Sequence, residues 1–455
     1  MKWIILALFA GVSFANVTID SAKKFQVIEG YGQGNMEQST PGWYHKYGKE
    51  GVKKILDTLY TLKDGGLGLN ICRYPMPAAD APGHDHMRRL PKNANKPFEY
   101  EDGKFNWEGH EDVLWLGKGA AERGAIMWAS WYGVPYWLSN SGCAAGSDDG
   151  GNNLIAGKEK RFIKHVTDVL EHFRDEWDIE FDYVCPINEP EADWWKTKGG
   201  QPGCGVSVDQ AIILFNELHK SLKSKKYDAK LIGYDAAYTN STTYLDAFLK
   251  GEMRNKIDVL SCHQYITEEK ALKRWATRAR LNKKSLWMTE WGDWKLVKKD
   301  NETQTKQMML YANKLHEAFE VLQANAWIMW EPSFILMGEK EGLVKRKSYW
   351  AVAHYSRHVR PGFRRVEVRY GKADPKTTAW VDKDIKKMVI VSVNDSDKDV
   401  KVRYELKGKN PKVVEIRKTG SDKNYELSAE YELKGNVLEV DMKSQSVMTI
   451  EIEAK

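Results

Sequence analysis

The stretch "VCPINEP", residues 184–190, decides the fold. It carries a mostly apolar run, Phe181 to Ile187, onto an amide, Asn188, and a carboxylate, Glu189, before Pro190 stops the strand. An acid in that place is either a salt-bridged strand terminus or a functional group, and the neighbouring runs bear on the choice. Seven other short apolar runs read as strands: Val27–Gly34, Leu67–Tyr74, Ala125–Trp131, Ala229–Ala236, Ile257–His263, Ser285–Glu290 and Ala324–Trp330. Between them lie stretches with apolar residues three or four apart, the helical period. Examples are Val52, Ile55, Leu56, Leu59; Phe162, Val166, Val169, Phe173; Ala211, Leu214, Leu218, Leu222; and Met308, Tyr311, Leu315, Leu322. Eight strands alternating with helices are the pattern of a (β/α)₈ TIM barrel over residues 27–360. A doubly wound sheet is the alternative, but "GYGQGN" at 30–35 lacks the GxGxxG spacing of a nucleotide turn.

After "RPGF", residues 360–363, the period changes to two. "MVIVSV", "KVRYEL", "VVEIR", "VLEVDM" and "MTIEIE" alternate apolar and polar residues, separated by turn sequences such as "NDSDKD" and "KGN". This predicts an all-β sandwich side domain over residues 361–455. Residues 16–26 are also strand-like and are expected to join it. Residues 1–15, "MKWIILALFAGVSFA", have the charged start, short apolar run and small residues of a secretory signal peptide. A secreted, extracellular or periplasmic protein is therefore expected, with no membrane span.

The 455 residues are too many for one ordinary core, which agrees with one large and one smaller domain. The formal charge of +6 is spread over scattered lysines, so no nucleic-acid footprint emerges. Five cysteines are an odd number. Cys72, Cys185 and Cys262 sit in strand-like runs, whereas Cys143 and Cys204 sit in the Gly-rich loops "NSGCAAG" and "GGQPGCG". A Cys143–Cys204 disulfide is expected in an exported chain. No CxxC or HExxH spacing occurs, so neither metal nor cofactor is expected.

Barrel chemistry sits at the C-terminal ends of the strands. Three acids stand there: Glu189, Glu290 in "LWMTEWG", and Glu331 in "IMWEP". The chain has no P-loop for phosphates and no GxSxG elbow. Paired acids suit hydrolysis of a glycosidic bond, where one gives a proton to the leaving oxygen and the other attacks the sugar carbon or activates water. The 18 tryptophans add rings that stack on sugar faces or pack the barrel rim. Trp131, Trp137, Trp194, Trp291, Trp330 and Tyr132 lie at or just after strand ends, and Trp131 and Trp330 are the first choices for lining a cleft.

"NEP" after the fourth strand and "TEWG" after the seventh resemble the catalytic pair of the large clan of (β/α)₈ glycosidases. The whole chain resembles glycoside hydrolase family 30, from "QVIEGYGQGN" through "VPYWLSNSGCAAG", "CPINEP", "QPGC", "SCHQY" and "LWMTEWG" to "KRKSYWAVAHYSRHVRPGF". The resemblance implies a barrel with a side β-domain and a retaining mechanism, with Glu189 as general acid/base and Glu290 as nucleophile. Glu189 must then hold a proton near neutral pH, through burial and the nearby Glu290 charge. Arg73, in "ICRYP", is placed to hydrogen-bond Glu290. Asn188 is placed to bond a sugar 2-hydroxyl, and His263 and Tyr265 to orient the acids. Trp291 and Glu331 are expected along the cleft.

The family includes xylanases, β-1,6-glucanases, β-1,6-galactanases and exo-acting enzymes. "PYWLSNSGCAAG", "NNL" and "NEP" followed by "QPGC" look most like the endo-β-1,6-galactanase group. "EPSFILMGEKEG" has no Arg where the glucuronoxylanase group carries a basic motif. The expectation is a monomeric endo-glycosidase acting on β-linked plant polysaccharide, β-1,6-galactan first. A xylanase that does not need glucuronic acid, a β-1,6-glucanase and a non-catalytic carbohydrate-binding protein are the alternatives.

Overall fold

A computed structural model describes residues 14–34, 40–87, 97–293, 295, 299–339, 342–407 and 411–454. Most of the expected leader, residues 1–13, lies outside this set. So do Asn35–Ser39 of the first motif and residues 340–341 after the eighth strand. The chain divides into two compact units. One comprises Ile28–Val297 and Glu317–Tyr349; the other comprises the chain up to Val27, Lys298–His316 and Trp350–Lys455.

The larger unit is the barrel. Its parallel strands are Gly30–Gln33, Ile71–Met76, Ile126–Trp131, Tyr183–Cys185, Lys230–Leu231 with Ala236–Tyr238, Val259–Ile266, Ser285–Glu290 and Ala326–Met329. They are hydrogen-bonded in barrel order, the eighth returning to the first through Ala326↔Gly30 and Met329↔Gln33. The ring closes at the fifth strand, which is broken in two. Lys230 pairs with Tyr183 of the fourth strand, Ala236 pairs with Cys262 of the sixth, and an Ile232↔Val259 bridge spans the gap. These strands are buried on both faces, so they read as continuous apolar runs rather than alternating ones. Their tryptophans fill the interior: Trp128, Trp287 and Trp327 expose nothing. The helix Glu159–Trp177 covers the barrel with Phe162, Val166, Val169 and Phe173, all buried, which is the face expected from their spacing.

The smaller unit is one continuous ten-stranded sheet. The strand Phe14–Val27 lies inside it, antiparallel to Arg364–Arg369 and parallel to Val400–Lys407. It begins at Phe14, so Phe14 and Ala15, counted with the leader above, pair with Lys401 and Val402. Ser392 Oγ and Tyr404 Oη share a buried hydrogen bond of 2.7 Å. Their strands, Lys387–Asn394 and Val400–Lys407, are separated by three others in the sheet order. In a flat sheet they would stand about 19 Å apart at the usual strand spacing. The sheet therefore folds over on itself, and the two halves enclose Val17, Ile19, Ile390, Val402, Tyr404, Leu438 and Ile450.

The domain limits differ from the expected 27–360 and 361–455. The helix Asn301–His316 and the chain from Trp350 group with the β-sheet unit. The reason is polar as well as apolar. Asn313 accepts from Lys376 Nζ (2.6 Å), and His316 bonds the Tyr370 hydroxyl (3.1 Å). The His354 ring is held between the Thr449 and Thr419 hydroxyls at 2.8 Å each.

Candidate active site

Glu189 follows the fourth strand and Glu290 ends the seventh; both are buried. The backbone at Glu189 is left-handed, φ +50°, a strained state for a side chain of this size. Neighbours hold it there. Its N–H donates to Asp235 O (3.1 Å), and its carbonyl accepts from Ala192 N (3.1 Å) and Trp195 Nε1 (2.9 Å). Trp195 reaches that carbonyl by lying where a side chain at Gly203 would be: an added Cβ would meet its ring at 2.0 Å. The "QPGC" glycine thus makes room for the indole that fixes the turn at Glu189.

The sixth and seventh strands slip register between Cys262↔Met288 and His263↔Glu290. A slip of this kind re-aims side chains. It sets Thr289, Glu290 and His263 into one network, where His263 Nδ1 meets Glu189 Oε1 at 2.6 Å. Its Nε2 lies 3.4 Å from Asp235 Oδ2 and 3.7 Å from Glu290 Oε2. Thr289 Oγ1 donates to Asp235. Arg73, with no exposed surface, donates through Nη1 to Glu290 and through Nη2 to Asn188 Oδ1 (2.6 Å) and Asp235 Oδ2 (2.7 Å). Its guanidinium lies 5.0 Å from the Trp128 ring centroid and 5.2 Å from that of Tyr132.

The electrostatics follow from these contacts. Burial pushes the Glu189 carboxyl up; His263 opposes this, and the Glu290 and Asp235 charges add to it. Burial opposes charge on His263, but Glu290, Asp235 and Glu189 hold its pKa well above the ordinary value. Burial also opposes charge on Asp235, yet Arg73 and His263 bring it down to about 2. Two cations, Arg73 and His263, face three acids, so a single proton on Glu189, whose pKa burial raises, balances the set. A His263 Nδ1–H donating to Oε1 leaves that proton to Oε2, the oxygen free to face a leaving group. One oxygen of Glu189, one of Glu290 and a ring nitrogen of His263 all lie within 4.8 Å of one another. Such a trio also resembles a metal site, but here two protein cations already balance the acids.

Asn188, Arg73 and His263 therefore join the two glutamates as the sequence suggests. The Tyr265 ring packs edge-on against His263 (6.2 Å) and Trp330 (6.0 Å). Burial raises its hydroxyl pKa well above the ordinary value, and the Glu290 and Glu189 charges add to this. Trp330 is part-exposed, Trp291 is buried beside it and accepts from its N–H (2.9 Å). Trp131 has no exposed face: it packs the barrel, and its carbonyl accepts from Asn188 N (2.8 Å), so its contribution is to the backbone of the site rather than to stacking. Glu331 is buried at the start of the turn Pro332–Phe334.

Asp235 escaped the sequence reading. The signal was a lone acid inside the apolar run Ala229–Ala236. Glu191 escaped it as well; burial pushes its carboxyl up to about 8. The expected Cys143–Cys204 bridge is corrected by the structure, in which no cysteine is joined to another in a disulfide. The two loops meet through backbone, Gly203 N to Ala144 O (3.0 Å), and their thiols take separate partners. Cys143 Sγ lies 3.4 Å from Thr197 O and 3.5 Å from His86 Nε2, while Cys204 Sγ donates to Gly205 O (3.4 Å).

A barrel whose strand ends bring together two buried glutamates, an arginine and a histidine defines a glycoside hydrolase of the two-carboxylate kind. The sequence pattern of O-Glycosyl hydrolase family 30 matches residues 15–277, and the chain belongs to that family. It is 23% identical over 423 residues to an endo-beta-1,6-galactanase of Hypocrea rufa, covering 86% of this chain and 83% of that one. It is 22% identical over 366 residues to glucuronoxylanase XynC of Bacillus subtilis, covering 77% and 78%. Among solved structures, a conserved exported protein from Bacteroides fragilis superposes with a TM-score of 0.81 at 18% identity, covering 96% of this chain and 99% of that one.

Proposed function

We propose that the protein is a secreted, retaining endo-glycosidase that cuts a β-linked plant polysaccharide, with β-1,6-galactan its first substrate. The observation that carries the mechanism is the separation of Glu189 and Glu290 oxygens, within 4.8 Å. Retaining enzymes hold their carboxyl groups about 5–5.5 Å apart, whereas inverting enzymes leave about 6.5–9.5 Å for a water. Glu290 attacks the anomeric carbon as Glu189 gives its Oε2 proton to the departing oxygen. A glycosyl ester on Glu290 results. Glu189, now the base, takes a proton from water, which attacks the same carbon and frees Glu290. Arg73 holds the nucleophile in place through direct donation, and Asn188, oriented by the same guanidinium, presents its amide to the sugar 2-hydroxyl.

The choice of galactan is supported by the coverage of the Hypocrea galactanase, 86% of this chain, and by the "QPGC" and "GCAAG" loops. Xylan is the second reading, supported by the likeness to a glucuronoxylanase; the absence of Arg from residues 331–342 argues against dependence on a uronic acid. Product analysis on arabinogalactan, xylan, glucuronoxylan and β-1,6-glucan decides the substrate. The anomeric form of the first product, followed by NMR, decides the mechanism: retention is expected, and inversion overturns it. Glu290→Ala is expected to abolish hydrolysis, and undiminished turnover would remove Glu290 from its role.

A further inference from the structure

The segment "DAPGHDH", residues 80–86, follows the second barrel strand, and Cys143 lies in the loop region following the third. Away from the catalytic cluster they gather Asp80, His84, His86 and Cys143, one donor atom from each within 4.8 Å of every other. His84 Nδ1 lies 3.1 Å from Asp80 Oδ1, His86 Nε2 lies 3.5 Å from Asp80 Oδ2, and Cys143 Sγ lies 3.5 Å from His86 Nε2. We propose that these four side chains form a structural zinc site that pins the loops at the mouth of the barrel.

Two features carry this beyond proximity. Asp80 Oδ1 already accepts from the Ala81 and Ala144 N–H groups (2.9 and 3.0 Å) and meets His84 Nδ1 (3.1 Å), but its buried Oδ2 has no hydrogen-bond partner among the described residues. His86 Nδ1 meets the Gly199 carbonyl at 2.8 Å. Since a carbonyl only accepts, Nδ1 donates to it, and Nε2 is the ring nitrogen turned toward Oδ2 and the thiol. A backbone carbonyl on the far nitrogen is how metal-binding histidines are oriented. A carboxylate oxygen and an imidazole nitrogen, both metal-donor atoms, thus stand 3.5 Å apart, close to the spacing of two donors on one ion.

The donor set selects the cation. Thiolate and imidazole favour zinc over calcium or magnesium. Bonds of about 2.0–2.3 Å in a tetrahedron put donors about 3.3–3.8 Å apart, so the closer pairs stand near that spacing and the widest must contract by about an ångström. The part-exposed His84 side chain, 38% accessible, has the freedom to supply that movement. Four protein donors leave no open position, which marks a structural rather than a catalytic site. Binding deprotonates the thiol: Cys143–SH and Zn²⁺ give the zinc thiolate and one proton. The carbonyls of Thr197 and Gly199 touch the cluster through Cys143 and His86, so one ion would brace the loops after the second, third and fourth strands, the last of which carries Glu189.

The test uses the full chain, stripped of metal and titrated with Zn²⁺ alone. One equivalent is expected to bind and to raise the melting temperature, with no comparable response to Ca²⁺ or Mg²⁺. Co²⁺ in its place is expected to give a thiolate-to-cobalt charge-transfer band in the near ultraviolet. Cys143→Ser is expected to remove that band, and His86→Ala to weaken Zn²⁺ binding by at least about 10–100-fold, the loss already typical of a residue that only orients a ligand. If His86→Ala does not fold, His84→Ala, at an accessible side chain, replaces it with the same expectation. Absence of stoichiometric Zn²⁺ uptake by the wild type, or a cobalt band unchanged in Cys143→Ser, overturns the proposal.

Discussion

Glu189 sits in a left-handed backbone state that costs about 1–3 kcal/mol, and three hydrogen bonds, one from its own N–H and two to its carbonyl, hold it there. The return is a carboxyl aimed at His263 with one oxygen left over. His263 is the pivot of the cluster because, among the described residues, it is the cation that touches Glu189. Its charge lowers the Glu189 pKa, against burial and the other carboxylates, which raise it. His263→Gln removes that charge, so the Glu189 pKa should rise further and the alkaline limb of kcat/KM should move up by about one unit. A pH–rate profile with an unmoved alkaline limb would show that His263 does not tune Glu189. At this scale the sequence was legible where an acid or amide ended an apolar run, as at Glu189, Asn188 and Glu290. Asp235 was not, because its role depends on a break inside the fifth strand and a φ of +51° that no apolar pattern encodes.

The elements that build the site are irregular where the chemistry is. The fifth strand parts between Leu231 and Ala236, which frees Asp235 to meet Arg73, and the sixth and seventh slip register, which brings His263 level with Glu290. Strand existence was readable from the apolar runs, whereas these interruptions arise from pairing between strands distant in sequence. The segment Phe14–Val27 presents the opposite case. It is strand-like by itself and becomes an interior strand, with partners on both sides through Ile19↔Val368 and Ile19↔Leu406. Ala15, Val17 and Ile19 are buried in the β-sheet core. Ile19→Ala should therefore lower the stability of that unit by about 2–5 kcal/mol, the usual cost of a cavity at a buried Ile. Lys23→Ala, which removes only a solvent-exposed pair with Glu367, should cost no more than about 1 kcal/mol. Denaturant melts of the two variants check this, and equal midpoints would mean that the strand is not part of the cooperative core.

For the whole molecule, the barrel was legible because its strands are largely buried on both faces, and the β-domain because its strands alternate. The unit boundary was not, since the helix Asn301–His316 has the amphipathic period of any barrel helix and it is contacts made in the fold, those with Lys376 and Tyr370 among them, that assign it elsewhere. The buried acids also set how stability varies with pH. Asp235 and Glu99 are both held down to about 2, in each case against burial: Asp235 by Arg73 and His263, Glu99 by hydrogen bonds from His165 and Arg161. Both therefore stabilise the fold above their unfolded pKa values of about 4, by about 3 kcal/mol each, and lose that contribution as pH falls from about 4 through 2. Glu191, pushed up to about 8 by burial, has the opposite sign. The folded state holds its proton more tightly than the unfolded chain, so its contribution is complete below about 4 and disappears as pH climbs through 8. His263, raised by its carboxylate neighbours, acts in the same sense on the alkaline side, present in full below about 6.5 and lost as pH rises through its higher folded value. Stability should thus peak in mildly acidic solution and fall on both sides. Urea titrations across pH 2 to 9 measure the curve. Glu191→Gln should flatten its neutral-to-alkaline slope and Glu99→Gln its acid slope, whatever either does to the absolute value. An acid limb left unchanged in Glu99→Gln would assign acid unfolding to other carboxylates.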